Sequence, residues 1–142
     1  MEKKLFDAID YSILSSGKRL RPFLVLKSSE LFSVEKERAL RVAAAIEMVH
    51  AYSIVHDDLP SMDDDDLRRG KPTTHKKFNE AIAILTGDSL LTLSFEILSD
   101  TLTHSDAKIR CELISELSKA AGALGMVGGQ MNHLEAENKN LN

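Results

Sequence analysis

The sequence has 142 residues, of which 43% are hydrophobic and 28% charged, so it can form one soluble domain with a buried core. Its net charge of −4 and aromatic content of 5% argue against binding to nucleic acid, which requires basic surface and stacking rings. A single cysteine, Cys111, leaves no internal disulfide and fits a reduced, cytoplasmic setting. We expect no signal peptide and no membrane span, because no apolar stretch approaches the roughly 20 residues that cross a bilayer.

The first two elements are predicted to be helices. Apolar residues recur at helical spacing over residues 5–14, and again over about 20–32. Pro22 falls in the first turn of the second helix, where its missing N–H has no cost. Basic residues in the stretch 17–22 lie at this helix start, where the positive end of the helix dipole favours an anion. Taken alone, these cations are better interpreted as ordinary surface charges.

The next helix is predicted over about 34–58, and one of its faces is unusual. At helical spacing this face carries Ala43, Ile46, His50, Ser53 and Asp57. A face directed at the core would carry larger and more apolar side chains. A stripe of small and polar groups that ends in an aspartate is typical of the wall of a cavity with a charged mouth.

The stretch 57–66 follows, with six carboxylates in ten residues, and three cations fall within the next five positions. Ionised carboxylates repel one another by roughly 1 kcal/mol per pair at 4 Å in water. A divalent cation removes that cost, and magnesium takes one or two protein carboxylates together with water and phosphate oxygens. Arginine and lysine beyond the aspartates could hold the same phosphates. The alternative for the charge run alone is a solvated acidic loop.

The rest of the chain also predicts helices, over about 79–100 and 105–124, with Asp106 as a cap of the second. Asp88 lies within an apolar face. We interpret it as a carboxylate that is buried or lies at the edge of a groove, rather than as a metal ligand. A helix through the glycine-rich stretch 125–130 indicates close packing or a bound ligand, since each glycine costs about 1 kcal/mol there. The end, 135–142, is polar and expected to fray. Without any strand signal, the fold class is all-α.

Two other classes of metal-binding protein fit the acidic stretch 57–66 less well. A His-Asp phosphohydrolase is suggested by the dipeptide His56-Asp57, but that class needs a distant upstream histidine, and only His50 precedes His56. A calcium loop needs a glycine at its sixth position, and none follows these aspartates there.

Four ordered motifs over about 17–130 resemble the trans-polyprenyl diphosphate synthases, most closely the bacterial farnesyl and geranylgeranyl diphosphate synthases. The motifs are Gly17-Lys18-Arg19-Leu20-Arg21-Pro22, the run from His50 to Pro72, Gly87-Asp88, and Gly128-Gly129-Gln130. The central run is similar to the family's first aspartate-rich motif in its longer bacterial form. The resemblance implies a partial isoprenoid-synthase helical bundle. It also implies a magnesium-assisted condensation of an allylic diphosphate with isopentenyl diphosphate to farnesyl or geranylgeranyl diphosphate.

The resemblance also implies roles for individual residues. Asp57 and Asp63 would hold Mg²⁺, with Asp58 close by, and these three with Arg68 form the expected catalytic group. The residues expected to hold isopentenyl diphosphate are Lys18, Arg21, His50 and Arg69. Arg68 would grip the allylic diphosphate (dimethylallyl or geranyl), and Gln130 would line its pocket. Tyr52 and Ser53 occupy the positions that set product length, and a tyrosine there favours farnesyl over geranylgeranyl diphosphate.

The sequence departs from the family pattern in three respects. No second Asp-Asp pair occurs outside the central run, only 16 residues precede Gly17, and His133 stands where the family usually has aspartate. We therefore expect residues 1–142 to be a single, truncated polyprenyl synthase domain. The alternative is a non-catalytic fragment or subunit that binds magnesium diphosphate and needs a partner half for turnover. We expect a homo-oligomer, or pairing with a separate C-terminal half.

Overall fold

The computed structural model describes residues 2–14 and 17–138, and the backbone in these ranges is mainly helical. The elements are α1 (Glu2–Ile13), α2 (Leu20–Leu31), α3 (Lys36–Asp57), β1 (Leu67–Arg68), β2 (Lys71–Pro72), α4 (Thr74–Lys77), α5 (Glu80–Ser99), α6 (Ala107–Ala121) and α7 (Met126–Asn138). The all-α prediction is confirmed. The predicted long helices are all present with ends near the expected positions.

Helix α3 is the centre of the bundle, because it packs along both α2 and α5. Its buried positions are mostly alanines, among them Ala39, Ala43 and Ala45, and short side chains allow neighbouring helix axes to approach closely. α5 contributes the fully buried Leu90 and Leu98 to the same interior. The end of α3 is therefore fixed by packing, and the acidic stretch begins at that end.

Two helix starts are capped as their sequences suggest. The Asp106 carboxylate accepts a hydrogen bond from the Lys108 amide at 2.8 Å, as predicted, and the Asn79 side chain accepts one from the Ile82 amide at 2.8 Å. The prediction of fraying from 135 onward is wrong as far as 138, since α7 continues to Asn138. Residues 139–142 lie outside the described residues.

A two-stranded hairpin was not anticipated. β1 and β2 are antiparallel, with Leu67 opposite Pro72 and Arg68 opposite Lys71. The turn between them consists of Arg69 and Gly70, whose φ angles of 54° and 77° are both left-handed. Two positive φ values in succession match the twist of a tight hairpin. Two residues per strand are too few for a visible alternation, so the sequence pattern could not reveal this element.

Two expectations for α5 require correction. The helix has 20 residues and contains an 18-residue window with a mean hydropathy of 1.6, so by length and composition it could cross a membrane, contrary to our expectation of no such stretch. The central helix of an all-α domain has the same properties, and α5 contacts α1, α3, α4 and α6. Asp88, predicted to be buried or at a groove edge, is exposed on this helix.

Gly87 provides a test of the α3–α5 contact. A Cβ added at Gly87 would overlap the imidazole of His56 on α3, whose Nε2 lies 3.0 Å from the Ile84 carbonyl oxygen. We predict that Gly87→Ala lowers the free energy of unfolding by about 1–3 kcal/mol through overpacking. Urea denaturation followed by circular dichroism measures this.

Gly129→Ala is the matched control, because a Cβ at Gly129 meets nothing within 4 Å. A helical glycine exchanged for alanine without a clash should stabilise by about 0.5–1 kcal/mol. Equal effects of the two substitutions would contradict the packing described for Gly87.

Candidate active site

The acidic stretch forms a compact turn at the end of α3. The Asp63 amide donates to the Asp57 carbonyl oxygen at 2.9 Å, and the Asp64 amide donates to the Leu59 carbonyl oxygen at 3.1 Å. Pro60 follows the last helical turn, in agreement with the predicted helix end. These backbone contacts fold the turn back on itself. They bring Asp63 beside Asp57, although five residues separate them in sequence.

The two predicted metal ligands, Asp57 and Asp63, are therefore neighbours. Burial raises the pKa of Asp57, and the Asp63 carboxylate raises it further by repulsion and by a side-chain hydrogen bond. A carboxylate whose proton affinity is raised by a neighbouring carboxylate also favours a cation beside it. Two adjacent carboxylates match the oxygen donors that magnesium takes from proteins. The donor set therefore fits the expected ion.

Asp58 has a different environment from its neighbour. Its carboxylate is buried, and the Arg68 guanidinium lies 2.6 Å from its Oδ1. Arg68 also donates to the Asp65 carboxylate at 2.9 Å. Burial raises the pKa of Asp58, and the contact with Arg68 acts against that rise. Asp58 therefore holds Arg68 in place, rather than facing the same space as Asp57.

The predicted isopentenyl residues also come together. A cleft of about 710 Å³ is lined by Gly17, Lys18, Arg19, Leu20, Arg21, Glu47, His50 and Arg69. Within it, Arg21 lies 3.4 Å from His50 Nε2. Burial lowers the pKa of His50, and the charges of Arg21 and Arg69 lower it further. Clustered cations at the start of α2 make this cleft suited to an anion.

Glu47 is the member of this cleft that sequence reasoning missed. It forms an ion pair with Arg19, which also donates to the Ile13 carbonyl oxygen. Arg19 adopts a left-handed φ of 49° just before α2. Its guanidinium is turned towards α1 and α3. An acidic residue inside a helix pattern gives no sequence signal for such a role.

The remaining predicted residues meet at a smaller cavity of about 170 Å³. It is lined by Tyr52, Ser53, His56, Asp57, Met62, Met126 and Gln130. The Gln130 amide donates to Asp57 Oδ1, and so α7 closes onto the end of α3. The Tyr52 ring packs edge-on against His56, with ring centroids 5.6 Å apart. Met62 and Met126 were not predicted, because a methionine in a helix or turn is normally a core residue.

A second group of possible metal donors lies outside the predicted set. One ligand atom each from Asp64, Asp66 and His75 lies within 4.8 Å of the other two. Lys76 is already 2.6 Å from Asp66 Oδ1, and His75 Nδ1 lies 3.2 Å from the Thr73 hydroxyl. A lysine ammonium therefore balances charge in this group. Asp57 and Asp63 remain the better candidates for a metal site.

The fold and site together define a helical bundle that sets a turn of carboxylates beside a cleft of cations. The family model described as "Polyprenyl synthetase" matches residues 2–142. The chain therefore belongs to the polyprenyl synthetase family. The resemblance inferred from the motifs is confirmed.

Known relatives agree with this assignment. Farnesyl diphosphate synthase of Escherichia coli K12 is 52% identical over 136 residues, which cover 95% of this chain and 46% of that protein. Farnesyl diphosphate synthase of Bacillus subtilis is 48% identical, covering 99% of this chain and 48% of that protein. The crystal structure of an FPP/GFPP synthase from Zymomonas mobilis superposes with a TM-score of 0.96 at 52% identity, covering 99% and 50% of the two chains. The chain thus spans about half the length of these relatives.

We predict that magnesium at millimolar concentration raises the melting temperature of the chain, and that Asp57→Asn with Asp63→Asn abolishes this response. Without metal, the double variant should be more stable than the parent at neutral pH. The folded chain raises the pKa of Asp57, so ionisation of this carboxyl opposes folding. The gain is about 1 kcal/mol for each repulsion removed at 4 Å in water.

Differential scanning calorimetry with and without magnesium measures both effects. Asp7→Asn, an exposed substitution on α1, is the control for a general loss of negative charge. A full magnesium response in the double variant would refute the assignment of these two ligands.

Proposed function

We propose that the chain supplies the first half of a prenyltransferase. The reaction condenses an allylic diphosphate, starting from dimethylallyl or geranyl diphosphate, with isopentenyl diphosphate. Each step adds one five-carbon unit, and successive steps give farnesyl or geranylgeranyl diphosphate. The observation that carries the proposal is the position of the hairpin, residues 67–72. Arg68 on this hairpin contacts Asp58 of the acidic turn, and the next residue, Arg69, lines the cationic cleft. Two diphosphates bound to these two groups would lie next to each other.

The allylic diphosphate is assigned to the acidic turn. When bound to Asp57 and Asp63, Mg²⁺ supplies the positive charge that stabilises a departing diphosphate. Gln130 orients Asp57 through its amide hydrogen bond. Arg68, held by Asp58 and Asp65, is placed to donate its remaining N–H groups to phosphate oxygens. Tyr52, Ser53, Met62 and Met126 line the adjacent cavity, and its apolar side chains exclude water from the allylic cation.

The isopentenyl diphosphate is assigned to the cleft of Lys18, Arg21, His50 and Arg69. His50 has a lowered pKa, so it enters this set as a neutral donor at neutral pH. The allylic C–O bond breaks first, and diphosphate leaves with the bonding electron pair. The isopentenyl double bond then attacks C1 of the resulting allylic cation, a new C–C bond forms, and one proton is lost from the isopentenyl unit.

We infer that the domain acts in the cytoplasm.

We also infer that the domain needs further protein for turnover. Large apolar side chains are strongly exposed at the end of α2 and between α6 and α7. Examples are Leu31 at 82%, Phe32 at 80% and Leu124 at 103%. Such residues favour association with another apolar surface. The partner is either a second copy of the chain or the C-terminal half of such an enzyme, on the same polypeptide or a separate one.

A second candidate is a non-catalytic subunit that binds magnesium diphosphate. The aspartate-rich run among the 142 residues supports it, because this run is the part that would hold magnesium diphosphate. The same protein could serve both proposals, depending on whether a second half is present. The two differ in what the isolated chain can do.

We predict that the isolated 142-residue chain binds diphosphate but does not form farnesyl diphosphate. Loss of a single transition-state donor typically lowers the rate by about 10²–10³, and loss of a carboxylate cluster should lower it further. The assay supplies isopentenyl and geranyl diphosphates with magnesium and detects product by mass spectrometry. A C-terminal half from a relative is then added.

Activity on adding that half supports the split-enzyme proposal, and Asp57→Asn in the front half should remove it. Binding without turnover under both conditions favours the subunit role. Turnover by the homogeneous chain alone would refute the requirement for further protein.

We predict that Tyr52 limits product length. In a full-length chimera carrying this front half, Tyr52→Ala should enlarge the cavity of about 170 Å³ and lengthen the main product. Chromatography of the dephosphorylated alcohols measures the product. Met126→Leu, a change of similar volume on the same cavity wall, is the control and should leave the length unchanged. The same product from Tyr52→Ala and the parent would show that Tyr52 is only part of the core.

A further inference from the structure

The two arginines of the hairpin make different contacts. Arg68 faces the acidic turn, where it contacts Asp58 and Asp65. Arg69 lies against Gly17, because a Cβ added at that glycine would overlap the Arg69 guanidinium. Arg68 is the last residue of β1, and Arg69 follows in the turn with a left-handed φ of 54°. The two side chains therefore have different contacts, and one short element serves both groups. The position of Arg69 relative to the cationic cleft therefore depends on how firmly the hairpin is held.

The hairpin cannot fix its own position. It pairs two residues with two, and isolated hairpins even of greater length are marginally stable in water. On the acidic side, the Arg68 ion pairs hold β1. On the other strand, the Tyr11 hydroxyl of α1 donates to the Pro72 carbonyl oxygen at 2.7 Å, across 61 residues of sequence. Ser12 adds a contact of 3.0 Å to the Thr74 hydroxyl.

The Tyr11 ring is held independently of its hydroxyl. The Lys77 ammonium lies 3.7 Å from the ring centroid, and the Phe78 ring packs edge-on with centroids 5.9 Å apart. Both contacts survive replacement by phenylalanine, because they involve the ring alone. The hydroxyl can thus be removed while the packing of α1 on the 74–78 segment stays in place.

We propose that Tyr11 is a positioning residue for diphosphate binding: its hydrogen bond to Pro72 fixes the 67–72 hairpin so that Arg69 stays in the cationic cleft. This inference rests on the proposed function, since it assigns that cleft to a diphosphate. Tyr11 is not among the residues that line the cationic cleft, and in this proposal it acts through the hairpin and Arg69. The matching anchor on the acidic side is the Arg68–Asp58 pair.

The test measures binding of inorganic pyrophosphate with magnesium to the full 142-residue chain by titration calorimetry. Tyr11→Phe should weaken binding by about three- to tenfold, the range expected for one hydrogen bond. Arg69→Gln should weaken it as well. If Tyr11 acts through Arg69, adding Tyr11→Phe to Arg69→Gln should cost less than about twofold more, since coupled residues are not additive. Ser118→Ala, which removes a hydroxyl bonded within its own helix, is the control and should bind as the parent does.

Unchanged binding in Tyr11→Phe would overturn the proposal. So would an equal loss with and without Arg69, because that pattern indicates general destabilisation. If the parent itself binds no pyrophosphate, the proposed function fails, and the positioning is then tested through His50. Arg69 helps to lower the pKa of His50, so Tyr11→Phe should raise that pKa in an NMR titration, and no change overturns the proposal. Should Tyr11→Phe not fold, Tyr11→Leu, which also lacks the hydroxyl, replaces it with the same expected signs and the same overturning results.

Discussion

Repulsion between carboxylates at the end of α3 is the constraint on which the arrangement of the site depends. The dipole of the 22-residue helix also disfavours negative charge at that end. The chain offsets part of the charge internally, through Arg68 on Asp58 and Lys76 on Asp66. Asp57 instead has Asp63 and the amide of Gln130 as neighbours. Asp57 and Asp63 are therefore adjacent carboxylates without an ion-pair partner among the described contacts, and a metal would be favourable between them.

The packing of the helices holds the carboxylates of Asp57 and Asp63 in place. Alanines along α3 let α2 and α5 approach closely, and Gly87 admits the His56 ring at the same level as Asp57. Tyr11 of α1 donates a hydrogen bond to the hairpin, and Gln130 of α7 donates one to Asp57 at the end of α3. In each of these two helices a single side chain makes the contact.

Periodicity predicted the long helices, because α3 and α5 bury positions that repeat at helical spacing and the half-buried positions of α6 do the same. It could not predict the hairpin, whose turn depends on a left-handed Arg69 rather than on a pattern. The acidic and basic groups were predicted from the residues and the family resemblance, and the structure brings each group together. Glu47, His75 and Tyr11 were missed for one physical reason. Their roles arise from contacts between distant segments, and a tyrosine or glutamate inside a helix has no local sign of such a partner.

The acidic turn and the cationic cleft lie side by side, with opposite fields separated by one hairpin. A uniformly anionic ligand would be attracted by one field and repelled by the other. A ligand that combines a metal cation with a diphosphate has its own charge separation, so the two fields exert a torque on it before contact. Screening limits this orientation to about 10 Å at 0.1 M salt, roughly the last encounter distance. The geometry therefore acts on the rate of productive encounter as well as on affinity, and its influence weakens as ionic strength rises.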